Sequence, residues 1–133
     1  MYRHIVQYYE TDKMGITHHS NYIRWMEESR VDFLEKSNCS YRYLEEIGLI
    51  SPVLSVNCEY KESTTFGDVV EVDVKIIEYN GVKLKIKYTM KNVATNNIVL
   101  IATSEHCFLD SQKRIIILKR THPEIHEKLK DLL

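Results

Sequence analysis

The chain switches between two hydrophobic periods, and the switches mark its elements. Arg3–Tyr9 is rich in β-branched and aromatic side chains and reads as a strand, followed by a polar break at Glu10–Gly15. From Ser20 to about Asn38 the period is helical. Tyr22, Trp25, Met26, Ser29 and Phe33 fall on one stripe, flanked by Ile23, Arg30 and Leu34, while Arg24, Glu28, Asp32 and Glu35 crowd the opposite side. This predicts one amphipathic helix of about five turns, with Ser20 as its N-cap and Thr17 as the rival cap. Aromatic and methionine side chains at this spacing are core residues first, and Ser29 in their midst allows close approach to a sheet. Tyr41–Ile47 predicts a short second helix closed by Gly48.

From Ser51 onward the period is that of strands. Pro52–Tyr60 is one. In Val69–Tyr79 the residues Val70, Val72, Val74 and Ile76 alternate with Glu71, Asp73 and Lys75; in Val82–Met90 the residues Val82, Leu84, Ile86, Tyr88 and Met90 alternate with Lys83, Lys85 and Lys87. One wet and one buried face each points to antiparallel pairing. Asn80-Gly81 signals a hairpin, but a simple two-residue turn there would set Val74 against Lys87 and Lys75 against Ile86. A three-residue loop, or Asn-Gly plus a bulge, restores matched polarity, so the odd register is predicted. Asn96-Asn97 makes the next turn, Ile98–Leu109 the next strand, and Asp110–Arg114 turns into a short strand Ile115–Leu118. From Thr121 the chain reads as a helix, with Pro123 in its first turn and Ile125, Leu129 and Leu132 on one face. Strand, long helix, then four or five antiparallel strands is an α+β arrangement with one helix lying on one sheet.

Composition narrows the function classes. At 133 residues the chain suits one domain spanning residues 1–133. Lys plus Arg is 18 and Asp plus Glu is 19, a net charge of -1, so neither nucleic acid nor an anionic membrane is an expected partner. The longest strongly apolar stretches, Ile98–Ala102 and Ile115–Leu118, are far below the ~20 residues that cross a bilayer, and no apolar segment follows Met1-Tyr2-Arg3-His4 to make a signal peptide. Cys39, Cys58 and Cys107 are odd in number and far apart, which argues for free thiols in a reducing cytoplasm rather than disulfides or structural zinc.

The chemistry-bearing stretch runs from Tyr8 to Tyr22. It places a carboxylate (Asp12), a glycine turn (Gly15) and an imidazole (His19) between a strand and a helix N-terminus. The first helical turn offers unpaired N–H groups and about half an elementary charge. Such an end can bind a carbonyl oxygen becoming an oxyanion, and a carboxylate beside it can attack the carbonyl or activate water. By composition alone, Asp12 is ordinarily a turn or cap residue. His18-His19 lacks an accompanying pattern of metal ligands, so no metal site is expected.

Together with Ile23-Arg24-Trp25-Met26-Glu27-Glu28-Ser29-Arg30, this stretch resembles the signature of hotdog-fold acyl-CoA thioesterases, in particular the 4-hydroxybenzoyl-CoA thioesterase and YbgC-like group. That pattern runs roughly Y-x-x-T/D-D-x-x-G, then H-x-N-Y, then an aromatic-rich helix ending E-x-x-R. Tyr8, Thr11, Asp12, Gly15, His19, Asn21, Tyr22, Glu27 and Arg30 stand at matching positions, and Phe66-Gly67-Asp68 is similar to the family's Y/F-G-D segment. The resemblance implies a hotdog fold, an antiparallel sheet wrapped around one long helix. It implies Asp12 as nucleophile or general base, His19 beside the thioester, Tyr8 as a site tyrosine, and Gly15, Ser20, Asn21 and Tyr22 around the substrate. It further implies an acyl-CoA or acyl carrier protein thioester as substrate, no metal or cofactor, and a homodimer or homotetramer. Glu27 is expected to form an ion pair with Arg30.

Two other classes compete. A hotdog module that only senses acyl-CoA has no need of a carboxylate at position 12, and a hotdog dehydratase needs an Asp-His motif that the sequence does not carry.

Overall fold

The computed structural model describes all 133 residues. In chain order it has β1 (Tyr2–Ile5), α1 (Ser20–Lys36), α2 (Tyr41–Glu46), β2 (Val53–Tyr60), β3 (Val69–Tyr79), β4 (Lys83–Asn92), β5 (Ile98–Cys107), α3 (Leu118–Thr121) and α4 (Pro123–Asp131). The strands form one antiparallel sheet in the order β1-β3-β4-β5-β2. The long helix α1 lies against it, burying Tyr22, Trp25, Met26, Ser29, Arg30 and Leu34. This is the expected α+β hotdog arrangement.

The alternating pattern of β3 and β4 places Val72 opposite Met90, Val74 opposite Tyr88 and Ile76 opposite Ile86. The odd register is therefore present, and its device is a bulge at Ile77: Ile76 pairs with Ile86 but Glu78 with Lys85. The hairpin closes one residue later than the Asn-Gly pair suggests, because the Asn80 side chain accepts the N–H groups of Val82 and Lys83. Elsewhere α2 ends at Gly48 with φ +80, as its glycine requires, and α4 begins with Pro123 and buries Ile125 and Leu129.

Three sequence expectations need correction. The first strand stops at Ile5, and Tyr8–Glu10 coils into a 3₁₀ turn because Glu10 is pulled inward. Ser20 is the first residue of α1 rather than its cap; His19 precedes it in helical conformation without a cap from its own side chain, and the His18 Nδ1 accepts the Ser20 N–H at 3.3 Å. Ile115–Leu118 forms only a single bridge, Leu109 with Ile115, before Leu118 turns into α3; Ile115 and Ile117 are exposed while Ile116 and Leu118 turn to the core.

A polar chain fastens α1 to the sheet. Arg30 donates from Nε to the Tyr41 hydroxyl (2.9 Å) and from Nη1 to that of Tyr88 (3.0 Å). Tyr88 contacts Ser104 at 2.6 Å, and Ser104 contacts Nε2 of His106 at 2.7 Å. The expected Glu27–Arg30 ion pair is absent: the guanidinium turns into the core, where tyrosine hydroxyls take its hydrogens, and Glu27 stays exposed. Burial, reinforced by the Arg30 charge, holds the His106 imidazole down at about 4, against a smaller opposing pull from the Pro52 carbonyl.

His106 is therefore neutral when folded but takes a proton near pH ~6.5 when unfolded. The unfolded chain binds the extra proton between those values, so stability falls as pH drops through that window and levels off below it. Unfolding of the wild type is expected to lose about 2 kcal/mol between pH ~7 and ~5 from this group. Urea titration at both pH values checks this; a His106→Asn variant should lose less over the same interval.

Candidate active site

The segment from Val6 to α1 is shaped by one buried carboxylate. Glu10, 4% exposed, accepts from Nε2 of His4 (2.7 Å), the Gln7 N–H (2.8 Å) and the Trp25 indole N–H (2.7 Å). Desolvation opposes its charge, but these three donors outweigh it and hold the carboxyl below the usual glutamate range. The Glu10 backbone carbonyl in turn accepts from the His18 N–H at 2.8 Å and from the Asn21 side chain at 2.9 Å. One residue thus anchors both ends of the intervening loop.

Between those anchors the chain makes a tight hairpin. Thr11 bridges Thr17, the Asp12 N–H donates to Ile16, and Gly15 turns at φ +79 and donates back to Asp12. One Asp12 carboxylate oxygen accepts the Met14 N–H at 2.8 Å, the ordinary turn role of an aspartate, and no cation bridges the group. The side chain is half-buried. The far wall of the hairpin is held by Thr64, whose hydroxyl meets those of Thr17 (2.7 Å) and Tyr22 (3.0 Å), and by Thr65, which donates to the Gly15 carbonyl at 2.7 Å.

At the helix tip the His19 N–H meets no acceptor within the chain. The His19 ring stands exposed, stacked on His18 with centroids 4.3 Å apart, and its carbonyl accepts from Tyr60 at 3.3 Å. An open groove of about 270 Å³ runs beside it, lined by Ile16, Thr17, His19, Tyr22, Tyr60 and the Lys61–Ser63 segment. A free amide, the positive end of α1 and an adjacent groove can together bind a carbonyl oxygen and stabilise negative charge on it.

The expected site residues divide accordingly. Asp12, Gly15 and His19 share one short segment, but only His19 lines the groove; Asp12 and Gly15 stand in the hairpin behind it, and the Asp12 carboxylate meets only the Met14 N–H. Asn21 and Tyr22 are buried braces, tied to Glu10 and Thr64. Ser20 contacts Nδ1 of His18 at 2.8 Å. Tyr8 is 76% exposed and packs edge-on against Phe66, with no hydrogen bond or ring contact to Asp12 or His19. Glu10 and Thr64 escaped the sequence reading. A glutamate in a polar break gives no sign that it will be buried, although Glu10 three residues after Gln7 fits a capping pattern.

Residues 6–133 match the family described as the thioesterase-like superfamily. A protein of Aquifex aeolicus described as a putative esterase is 36% identical over 133 residues, covering 98% of each chain. The putative acyl-CoA thioesterase YneP of Bacillus subtilis is 34% identical, covering 91% of this chain and 88% of its own. The crystal structure of DHNA-CoA thioesterase from Staphylococcus aureus superposes with a TM-score of 0.92 at 30% identity, covering 98% of this chain and 87% of that one.

Because Glu10 holds the loop through an ionised carboxylate, Glu10→Gln should cost ~2 kcal/mol at pH 7. Its depressed pKa contributes stability above the ordinary glutamate value of ~4.3, lost as pH falls through the lower folded value. The gap between variant and wild type, read from urea midpoints, should therefore narrow in strong acid.

Proposed function

The chain belongs to the thioesterase-like superfamily and is a thioester hydrolase; from that premise we propose that it is one domain hydrolysing an acyl-CoA to free acid and coenzyme A, with Asp12 acting as general base or nucleophile. The observation that carries this reading is the placement of a half-buried carboxylate in a hairpin that ends at the unpaired amide of the α1 tip.

The thioester carbonyl enters the groove with its oxygen toward the His19 N–H. Asp12 takes a proton from water as the water oxygen bonds to the carbonyl carbon, and the oxyanion draws on the helix-tip amide. The tetrahedral species then collapses, the C–S bond breaks, and the thiolate leaves. A thiol pKa of ~8.5 makes that departure possible without a strong general acid. In the nucleophilic variant an Asp12 oxygen bonds to the carbonyl carbon, the C–S bond breaks to release the thiolate, and water hydrolyses the resulting anhydride to the free acid and the Asp12 carboxylate. The exposed apolar residues Tyr8, Tyr9, Met14 and Phe66 rim the loop and suit an acyl or pantetheine chain. An acyl carrier protein thioester would offer the same reacting group.

The active form is a homodimer or homotetramer. Support comes from β2, an outer strand with Val53, Leu54, Val56 and Tyr60 exposed, an edge that natural sheets rarely leave bare. Sedimentation at micromolar concentration should give the mass of two or four chains.

Free thiol release from acyl-CoAs measures the activity. Asp12→Asn should lower kcat at least ~10²-fold with the assembly intact, and His19→Ala should cost less, because the amide rather than the ring meets the oxyanion. Coenzyme A protection against unfolding with no thiol release from any acyl-CoA would instead favour a sensor.

A further inference from the structure

We propose that the interior of the protein holds a binding site for one small monovalent anion, formed by Arg30, Tyr41 and His106 in a cavity between α1, α2 and the β4–β5 face. The cavity measures about 10 Å³, room for a single water-sized occupant. Its polar lining is Arg30, Tyr41, Ser51 and His106, and most of the remainder is apolar. By the helix rise Arg30 lies about 15 Å along α1 from its N-terminal tip, so the site is separate from the catalytic groove and does not rest on the thioesterase reading.

The charge balance points to an anion. Arg30 is 6% exposed and always protonated, yet it makes no ion pair; its partners are two phenols. Burial pushes the Tyr41 phenol up, so it supplies no negative charge near neutral pH. A buried cation without a counter-ion is among the costliest arrangements in a protein interior.

The hydrogen-bond polarity points the same way. Arginine can only donate, so the Tyr88 oxygen accepts from Arg30 and its O–H turns to Ser104. The Ser104 O–H then goes to Nε2 of His106, the one arrangement that strands no hydroxyl hydrogen. The neutral ring therefore carries its proton on Nδ1, a buried atom with no hydrogen-bond partner. The Pro52 carbonyl draws on this ring but does not meet Nδ1 at hydrogen-bonding geometry. Tyr41 accepts from Arg30 Nε, and its own O–H likewise has no acceptor in the chain. The lining thus presents unpaired donors around a fixed positive charge and no acidic side chain. A halide satisfies charge and donors together once the lining gives by a few tenths of an ångström, since the space as it stands is that of one water, whereas a polyatomic oxyanion exceeds it by far more.

Two measurements on the full chain test this. Crystals soaked in sodium bromide should show an anomalous peak between Arg30 and His106. At matched ionic strength, Tm should rise in sodium chloride or bromide relative to sodium gluconate, with saturation. Tyr41→Phe, which removes one donor, should fold and bind bromide ~10-fold more weakly by the same titration; Arg30→Met should abolish the halide effect wherever it folds. Density without anomalous signal, indicating water, or Tm values identical in all three salts, would overturn the proposal.

Discussion

The loop between Val6 and α1, to which the proposed chemistry is assigned, exists because a carboxylate is buried under it. Glu10 replaces water with His4, the Gln7 amide and the Trp25 indole, and its own carbonyl engages His18 and Asn21. Charge-assisted hydrogen bonds in a dry setting are the strong ones. By contrast, the surface pairs Arg3–Glu71, Lys36–Asp32 and Lys61–Glu59 are solvated and contribute ~0–1 kcal/mol each. The fold of residues 6–21 is therefore decided at Glu10. Everything proposed for Asp12 and the His19 amide presupposes that anchor.

The periodic part of the architecture was legible because burial imposes it. A helix stripe and two alternating strands can be read from apolar positions, and parity between β3 and β4 demanded an irregularity before its place at Ile77 was known. What could not be read depends on pairings distant in sequence. Glu10 meets Trp25 across fifteen residues, and Arg30 meets Tyr88 across fifty-eight. Local spacing favoured Glu27 as the partner of Arg30, but the core offered hydroxyls that spacing does not reveal. Tyr8 stood at a matching position by resemblance, yet its side chain is exposed and meets Phe66 rather than Asp12 or His19. For the candidate site, the motif points to the loop and the helix tip; the bracing by Glu10 and Thr64 rests on contacts between residues distant in sequence, which the motif does not show.

The helix α1 links two polar regions of different character. Its N-terminal end carries one unpaired backbone amide, that of His19, beside an open groove, where partial charge can act on a passing carbonyl. Further along, Arg30 faces inward and ties the helix to β4 and, through Tyr88 and Ser104, to β5. The second region fixes the helix on the sheet and so fixes the direction in which the first one points. Precision at a catalytic site depends on such supporting contacts.

The central claim is that a thioester carbonyl sits between Asp12 and the α1 tip. A crystal structure with a non-cleavable ketone analogue of an acyl-CoA tests this most directly. The account predicts the analogue's carbonyl oxygen on the His19 N–H, with the Asp12 carboxylate facing its carbon or a water beside it. An analogue bound with its carbonyl away from both groups would contradict it.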